Sequence, residues 1–246
     1  MQVVKVLRLK FRQLALAFLL GLFVYGSWTS ISDELERRSV DALSPVLAGK
    51  TIVIDPGHGG RDSGSRSPSG TLEKDITLEV SKRLATILGQ SGSVVLLTRE
   101  CDTWLADPDA PHKKRSDLIK RVDIANNNNA DAFISIHVNS FVHDRSERGA
   151  QTFSQPGSEN SKILSGYLQQ ELTRVLGNTK RKPKEIDYFI RHSKVPAVIV
   201  EIGFLSNPSE EKLLLNSAYQ SKIAFAIYSG LVKYYADREL GVIKVK

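Results

Sequence analysis

Thiols are almost absent from this 246-residue chain. Cys101 is the sole cysteine, so no intramolecular disulfide can form. It stands between Arg99 and Trp104, just after a predicted strand, and reads as a plain semi-buried side chain. The chain also lacks internal repeats and long low-complexity segments, and its length suits one sizeable core. A real excess of either charge is missing too. The formal charge of +7 includes Lys5, Arg8, Lys10 and Arg12 at the extreme N-terminus; without them 30 basic residues face 27 acidic ones, or +3. That balance gives no reason to expect a nucleic-acid partner.

What is present first is an apolar leader. Residues 13–32 carry no charge over 20 positions and follow a basic flank. The pattern is that of an export signal or an N-terminal membrane anchor (residues 1–32), with the N-terminus cytoplasmic and the bulk translocated. No Ala-x-Ala site follows, Gly26-Ser-Trp-Thr-Ser30 is a poor substitute, and the stretch is long enough to span a bilayer core. Retention as an anchor is therefore favoured over cleavage. Residues 33–49 read as a charged linker or short helix, leading into a folded domain over 50–240.

Within that domain, strand and helix signals alternate. Strands are expected at 50–55, 93–98, 131–137, near 149–154, near 187–191 and at 197–201. Helices are expected at 73–89, 115–129, 158–177, from Asn207-Pro208, and at 218–236. Such alternation implies an α/β fold: a single domain with a mostly parallel twisted sheet and helices on both faces. The 102–114 segment, with Pro108 and Pro111, and the basic 178–186 segment are expected as loops. The second is a candidate contact for an anionic glycan or peptide, or simply a solvated loop.

The chemistry gathers where strands end. Thr51-Ile-Val-Ile-Asp-Pro-Gly-His-Gly-Gly60 delivers His58 beyond a buried strand inside glycine-rich backbone. Ala132-Phe-Ile-Ser-Ile-His-Val-Asn-Ser140 ends in His137, and Val195 to Pro208 delivers Glu201. Glu73 opens a helix, either as dipole complement or as a ligand. Two imidazoles and a carboxylate with one open position suit a catalytic zinc ion, and a further carboxylate supplies the base that hydrolysis needs. The intervals are too long for a local zinc finger, so only the fold can assemble them. On chemistry alone, a metal site and scattered structural residues both remain open.

Four segments resemble blocks of the zinc-dependent N-acetylmuramoyl-L-alanine amidases, the amidase 3 family: Val53-Ile-Asp-Pro-Gly-His-Gly-Gly60, Leu72-Glu-Lys74, Ser135-Ile-His-Val-Asn139 and Pro196 to Asn207. Leu97-Thr-Arg99 with Asp102, and Leu118 with Arg121 and Ala125-Asn126, add two more, all in family order over residues 50 to about 236. The chain is most similar to the compact germination and spore-cortex members. The resemblance implies a zinc-exopeptidase-like (phosphorylase/hydrolase-like) sheet, and one Zn2+ held by His58, Glu73 and His137. Glu201 would be the catalytic glutamate. The implied substrate is peptidoglycan, cut between N-acetylmuramic acid and the L-alanine of the stem peptide. The implied setting is the outer face of the cytoplasmic membrane, including the forespore cortex, where muramic lactam forms.

Other residues carry two readings each. Asn139 supports the site or closes a strand-end turn; His192 touches substrate or lies at the surface. Arg99 and Arg121 serve the site or anchor structure through ion pairs. Asp55 orients His58 or forms a turn, and Asp62 likewise flanks that histidine; His112 and His143 read as solvated. Only 11 residues lie between His137 and Gly149, too few for the plugging helix of some family members, so an open site is expected, with control through expression, placement or an accessory envelope protein. Two other functions compete: a zinc exopeptidase on free peptides, and a wall-binding module with a dead site.

Overall fold

The computed structural model describes residues 2–243, which divide into two compact units at the boundary between Leu43 and Ser44. The first unit is one long helix, α1 (Gln2–Leu43). It has a window apolar enough to cross a membrane, and none of that window is buried. Phe18, Leu19, Leu20, Phe23 and Trp28 are all exposed along it. Residues 33–43 thus continue a helix, and a 3-10 turn (Ser44–Leu47) completes the stretch expected as a linker.

The second unit contains β1 (Thr51–Pro56), α2 (Glu73–Gln90), β2 (Val94–Leu97), α3 (Lys113–Asn127), β3 (Ala132–Asn139) and β4 (Gln151–Ser154). These are followed by α4 (Glu159–Leu176), β5 (Lys184–Glu185), β6 (Ala197–Phe204), α5 (Pro208–Leu214) and α6 (Ser217–Glu239). Their six-stranded sheet has the order β2-β1-β3-β6-β4-β5. The β1–β2, β1–β3, β3–β6 and β4–β5 pairs are parallel, and β4 runs antiparallel to β6. The expected mostly parallel α/β sheet is therefore present.

Parallel strands are fed by crossover helices and buried on both faces, which is why Ile52-Val-Ile54, Phe133-Ile134 and Ala197-Val-Ile-Val200 are continuous apolar runs with almost no exposure. α6 packs against α2 and α4 over one face. On the other face α3 contributes Val122 and Ala125 to a core with Val53, Phe133, Ala197 and Ile199. Helix boundaries follow local chemistry. Asn207 and Asn216 accept backbone N–H groups at the starts of α5 and α6, with Pro208 at the first helical position. Gly177 closes α4 at φ +68°.

One expected strand is absent. Residues 189–192 form a 3-10 helix, and the short β5 lies earlier, inside the segment expected as a loop. Phe189 and Ile190 are both buried in the α3-side core, and neighbouring residues of a strand point to opposite faces, whereas a tight helical turn sends both inward.

Candidate metal centre

β1 ends at Pro56, and the chain then takes a left-handed step at His58 itself (φ +63°), a conformation rare for a residue with a β-carbon. Small neighbours make room for this turn. A β-carbon on Gly57 would stand 2.5 Å from His137 Cε1, and one on Gly64 would stand 2.6 Å from Glu73 Oε2 and His58 Cδ2. Two buried arginines hold the loop by its carbonyls. Arg121 donates to Pro56 O (2.8 Å) and His58 O (2.7 Å) while pairing with Asp55 (2.8 Å) and Asp117 (2.7 Å). Arg99 donates to Pro56 O, Gly57 O and Lys74 O, tying the loop to the start of α2. Both fix the backbone that presents His58. Arg99 does so through carbonyls, where ion pairs were the expectation.

The sheet supplies the rest. His137 on β3 and Glu201 on β6 are direct register partners, so both stand on the α3-side face. β6 runs on to Phe204, placing Glu201 inside the strand where the expectation put it at the end. Glu73 comes from the first residue of α2 and is buried.

His58, Glu73 and His137 meet, each offering one ligand atom, all within 4.8 Å of one another. Glu73 Oε1 lies 3.1 Å from His58 Nε2 and 3.1 Å from His137 Nδ1. A carboxylate oxygen and an imidazole lone pair at that separation repel unless a proton or a cation lies between them. Tetrahedral zinc with bonds of about 2.0–2.1 Å sets its ligand atoms about 3.3 Å apart, so this donor set fits one such ion. The remaining bonds orient the ligands. Glu73 accepts from Ser65 N (2.8 Å) and Val138 N (2.9 Å). His58 Nδ1 lies 2.9 Å from Asp62 Oδ2, a close charge contact without hydrogen-bond geometry, while Nε2 faces Glu73.

Electrostatics follow from burial and these contacts. Burial raises the Glu73 pKa, but contacts from His137 and His58 outweigh it and hold the carboxyl well below its ordinary value. Burial lowers His137, yet Glu73 reverses the effect and raises it. Burial pushes Glu201 up to about 7; His137 opposes the rise and Glu73 adds to it. Glu201 Oε2 and His137 Nε2 are enclosed without hydrogen-bond partners. Both residues line a cavity of about 270 Å³ with Asn139, Phe153, Ile186, Tyr188 and Ile199. The 140–150 connection contains no helix and supplies none of these walls.

The weaker candidates separate. Asn139 lines this cavity, and its Oδ1 accepts from Ser140 N just past the end of β3. His192 is exposed and lines a neighbouring groove. Asp55 serves Arg121, Thr98 and Ser135, and the histidine-facing carboxylate is Asp62. Asp62 follows His58 by four residues, and a glycine-rich turn between them was the one available signal. Tyr188 had no signal in the sequence. Cys101 is exposed, contrary to the semi-buried reading, because it sits in the irregular segment after β2.

Comparison with known proteins agrees with this geometry. The chain is 38% identical over 236 residues to the germination-specific N-acetylmuramoyl-L-alanine amidase of Bacillus subtilis, covering 94% of this chain and 97% of that one. Its fold matches the CwlD amidase from Clostridioides difficile, solved in complex with the GerS lipoprotein, at TM-score 0.73 and 40% identity over 79% of this chain and all of the other. The catalytic domain of CwlV from Bacillus (Paenibacillus) polymyxa matches at TM-score 0.67 and 32% identity, covering 79% and 99%. The N-acetylmuramoyl-L-alanine amidase family model, Amidase 3, spans residues 52–233, and the chain belongs to that family.

Proposed function

We propose that this amidase works with one zinc ion held by His58, Glu73 and His137, and that Glu201 is its acid–base residue. The observation that carries the reading is the convergence of three ligand atoms within 4.8 Å beside a carboxylate in register with one of them. When bound, zinc supplies Lewis acidity towards the scissile carbonyl and the attacking water. The protein's own part falls to Glu201. Its carboxylate takes a proton from water as the oxygen adds to the lactyl carbonyl of N-acetylmuramic acid. It then returns that proton to the L-alanine nitrogen, which leaves as an amine because an amide anion is a poor leaving group. Burial, which raises this carboxyl in the metal-free protein, favours its uptake of the proton that it must later return. Asp62 places a negative charge beside His58 Nδ1, and Arg99 and Arg121 hold its loop.

The substrate is peptidoglycan, and the likeness to a germination-specific enzyme supports a role in spore cortex, where stripping the peptide precedes muramic-lactam formation. Residues 1–32 export the domain or anchor it at the outer face of the membrane, and the solvent-facing apolar stretch of α1 supports that placement. The CwlD amidase, solved with a lipoprotein, supports an accessory envelope protein for this chain too. Release of intact L-alanyl stem peptides from purified wall, abolished by a chelator and restored by zinc, tests the assignment. Release of single amino acids from free peptides would point to an exopeptidase, and no release to a binding module.

A further inference from the structure

Beside the metal centre lies a second cavity of about 430 Å³ between α3 and the 189–192 turn. Leu118, Ile119, Tyr188 and Phe189 give it an apolar wall, and Lys114, Arg115 and Arg191 give it a cationic one. Arg191 is already neutralised by Asp187 at 2.9 Å. Lys114 has only a distant share in Asp62, at 3.7 Å. Arg115 has no ion pair among the described residues. These cations begin α3, the end where the helix macrodipole disfavours positive charge, and no acid stands in that turn, so helix stability does not explain them.

The groove touches the metal centre on two sides. Tyr188 lines both cavities, and Phe189 behind it has its ring centroid 6.4 Å from that of His137. On the other side the Asp62 oxygen that faces Lys114 is the one 2.9 Å from His58 Nδ1. Tyr188 thus joins this groove to the cavity beside the metal centre, and a substrate arm leaving that centre past Tyr188 would enter it.

Resting on the amidase reading above, we propose that the groove takes the peptide arm and that Arg115 selects for its free carboxylates. A glycan arm presents uncharged hydroxyls, which can accept from these cations but offer no counter-charge, and the one acid lining the groove, Asp187, lies against Arg191. A stem peptide offers methyl groups for the apolar wall and carboxylates for the guanidinium, whose planar fork binds them in two-point fashion.

The test uses the full zinc-loaded chain and two soluble substrates, an N-acetylmuramoyl peptide with free carboxylates and the same compound with them amidated. The expected result is a preference for the acidic substrate of roughly tenfold or more, carried mainly in KM. Arg115→Ala should shrink that ratio to near one and Arg115→Glu should invert it, while Arg148→Ala, a cation elsewhere on the surface, should leave the ratio intact. Equal rates on the two substrates, or a ratio that survives Arg115→Glu, overturns the proposal and returns the groove to the glycan arm. If neither substrate is cut, the amidase reading has failed. The groove is then judged by calorimetry: tighter binding of the free acidic peptide than of its amide, lost in Arg115→Ala, upholds it, and equal or no binding refutes it.

Discussion

His137 and Glu201 face each other across β3 and β6 as register partners, separated by the width of one strand pairing. The alternation of side chains puts both on the α3-side face, one among the three clustered ligand atoms and the other beside them in the same cavity. This places a buried carboxylate beside the candidate metal centre but outside its cluster of ligand atoms.

Removing that group should therefore separate binding from turnover. Glu201→Gln should retain one zinc per chain while kcat falls by roughly 10²–10⁴-fold, the usual contribution of a positioned acid or base. Metal analysis and stem-peptide release on the same preparation check this, and a variant that loses zinc would make Glu201 a ligand. His137→Ala should instead lose the ion.

Asp62 offers a subtler test. Asp62→Asn keeps the size of the side chain but removes the charge that faces His58 Nδ1. Zinc affinity should drop about 10–100-fold, the typical cost of such an outer contact, and excess zinc should restore most of the activity. Competition with a chelating dye measures it.

The buried pair Arg121–Asp55 carries stability. Arg121 is 1% exposed, and beside it burial raises the Asp55 pKa while the guanidinium, Thr98 and Ser135 more than reverse the rise. Arg121→Met would leave Asp55 charged and unpaired in the core, at a cost of about 3–5 kcal/mol. Chemical denaturation at neutral pH checks this. The loss should shrink in acid, because a carboxyl whose folded pKa is depressed stabilises only above its unfolded value.

Glu201 should show the opposite sign in the metal-free protein. Its folded pKa, about 7, lies above the ordinary 4.5, so the folded state binds the proton more tightly. That contribution is complete below 4.5 and is lost as pH rises through 7. Glu201→Gln should gain stability relative to the parent between those limits, as followed by denaturation at several pH values. A difference independent of pH would contradict the raised value.

Much of this protein was legible in the chain. Alternating apolar strands and amphipathic helices determined the α/β sheet, because a strand buried on both faces must be apolar throughout, as 52–54 and 197–200 are. His58, beyond the end of β1 in a glycine-rich turn, and His137, near the end of β3, stood out as candidates because strand ends are where open sheets bind ligands. Neighbouring apolar residues, however, do not say which face each seeks, and so Phe189 and Ile190 were read as strand when the core required a helical turn. The pairing of Asp62 with His58, the register of His137 with Glu201 and the adjoining Arg115 groove depend on distances between segments far apart in the chain or on a left-handed turn. Local propensity fixes neither, and only the closed tertiary structure decided them.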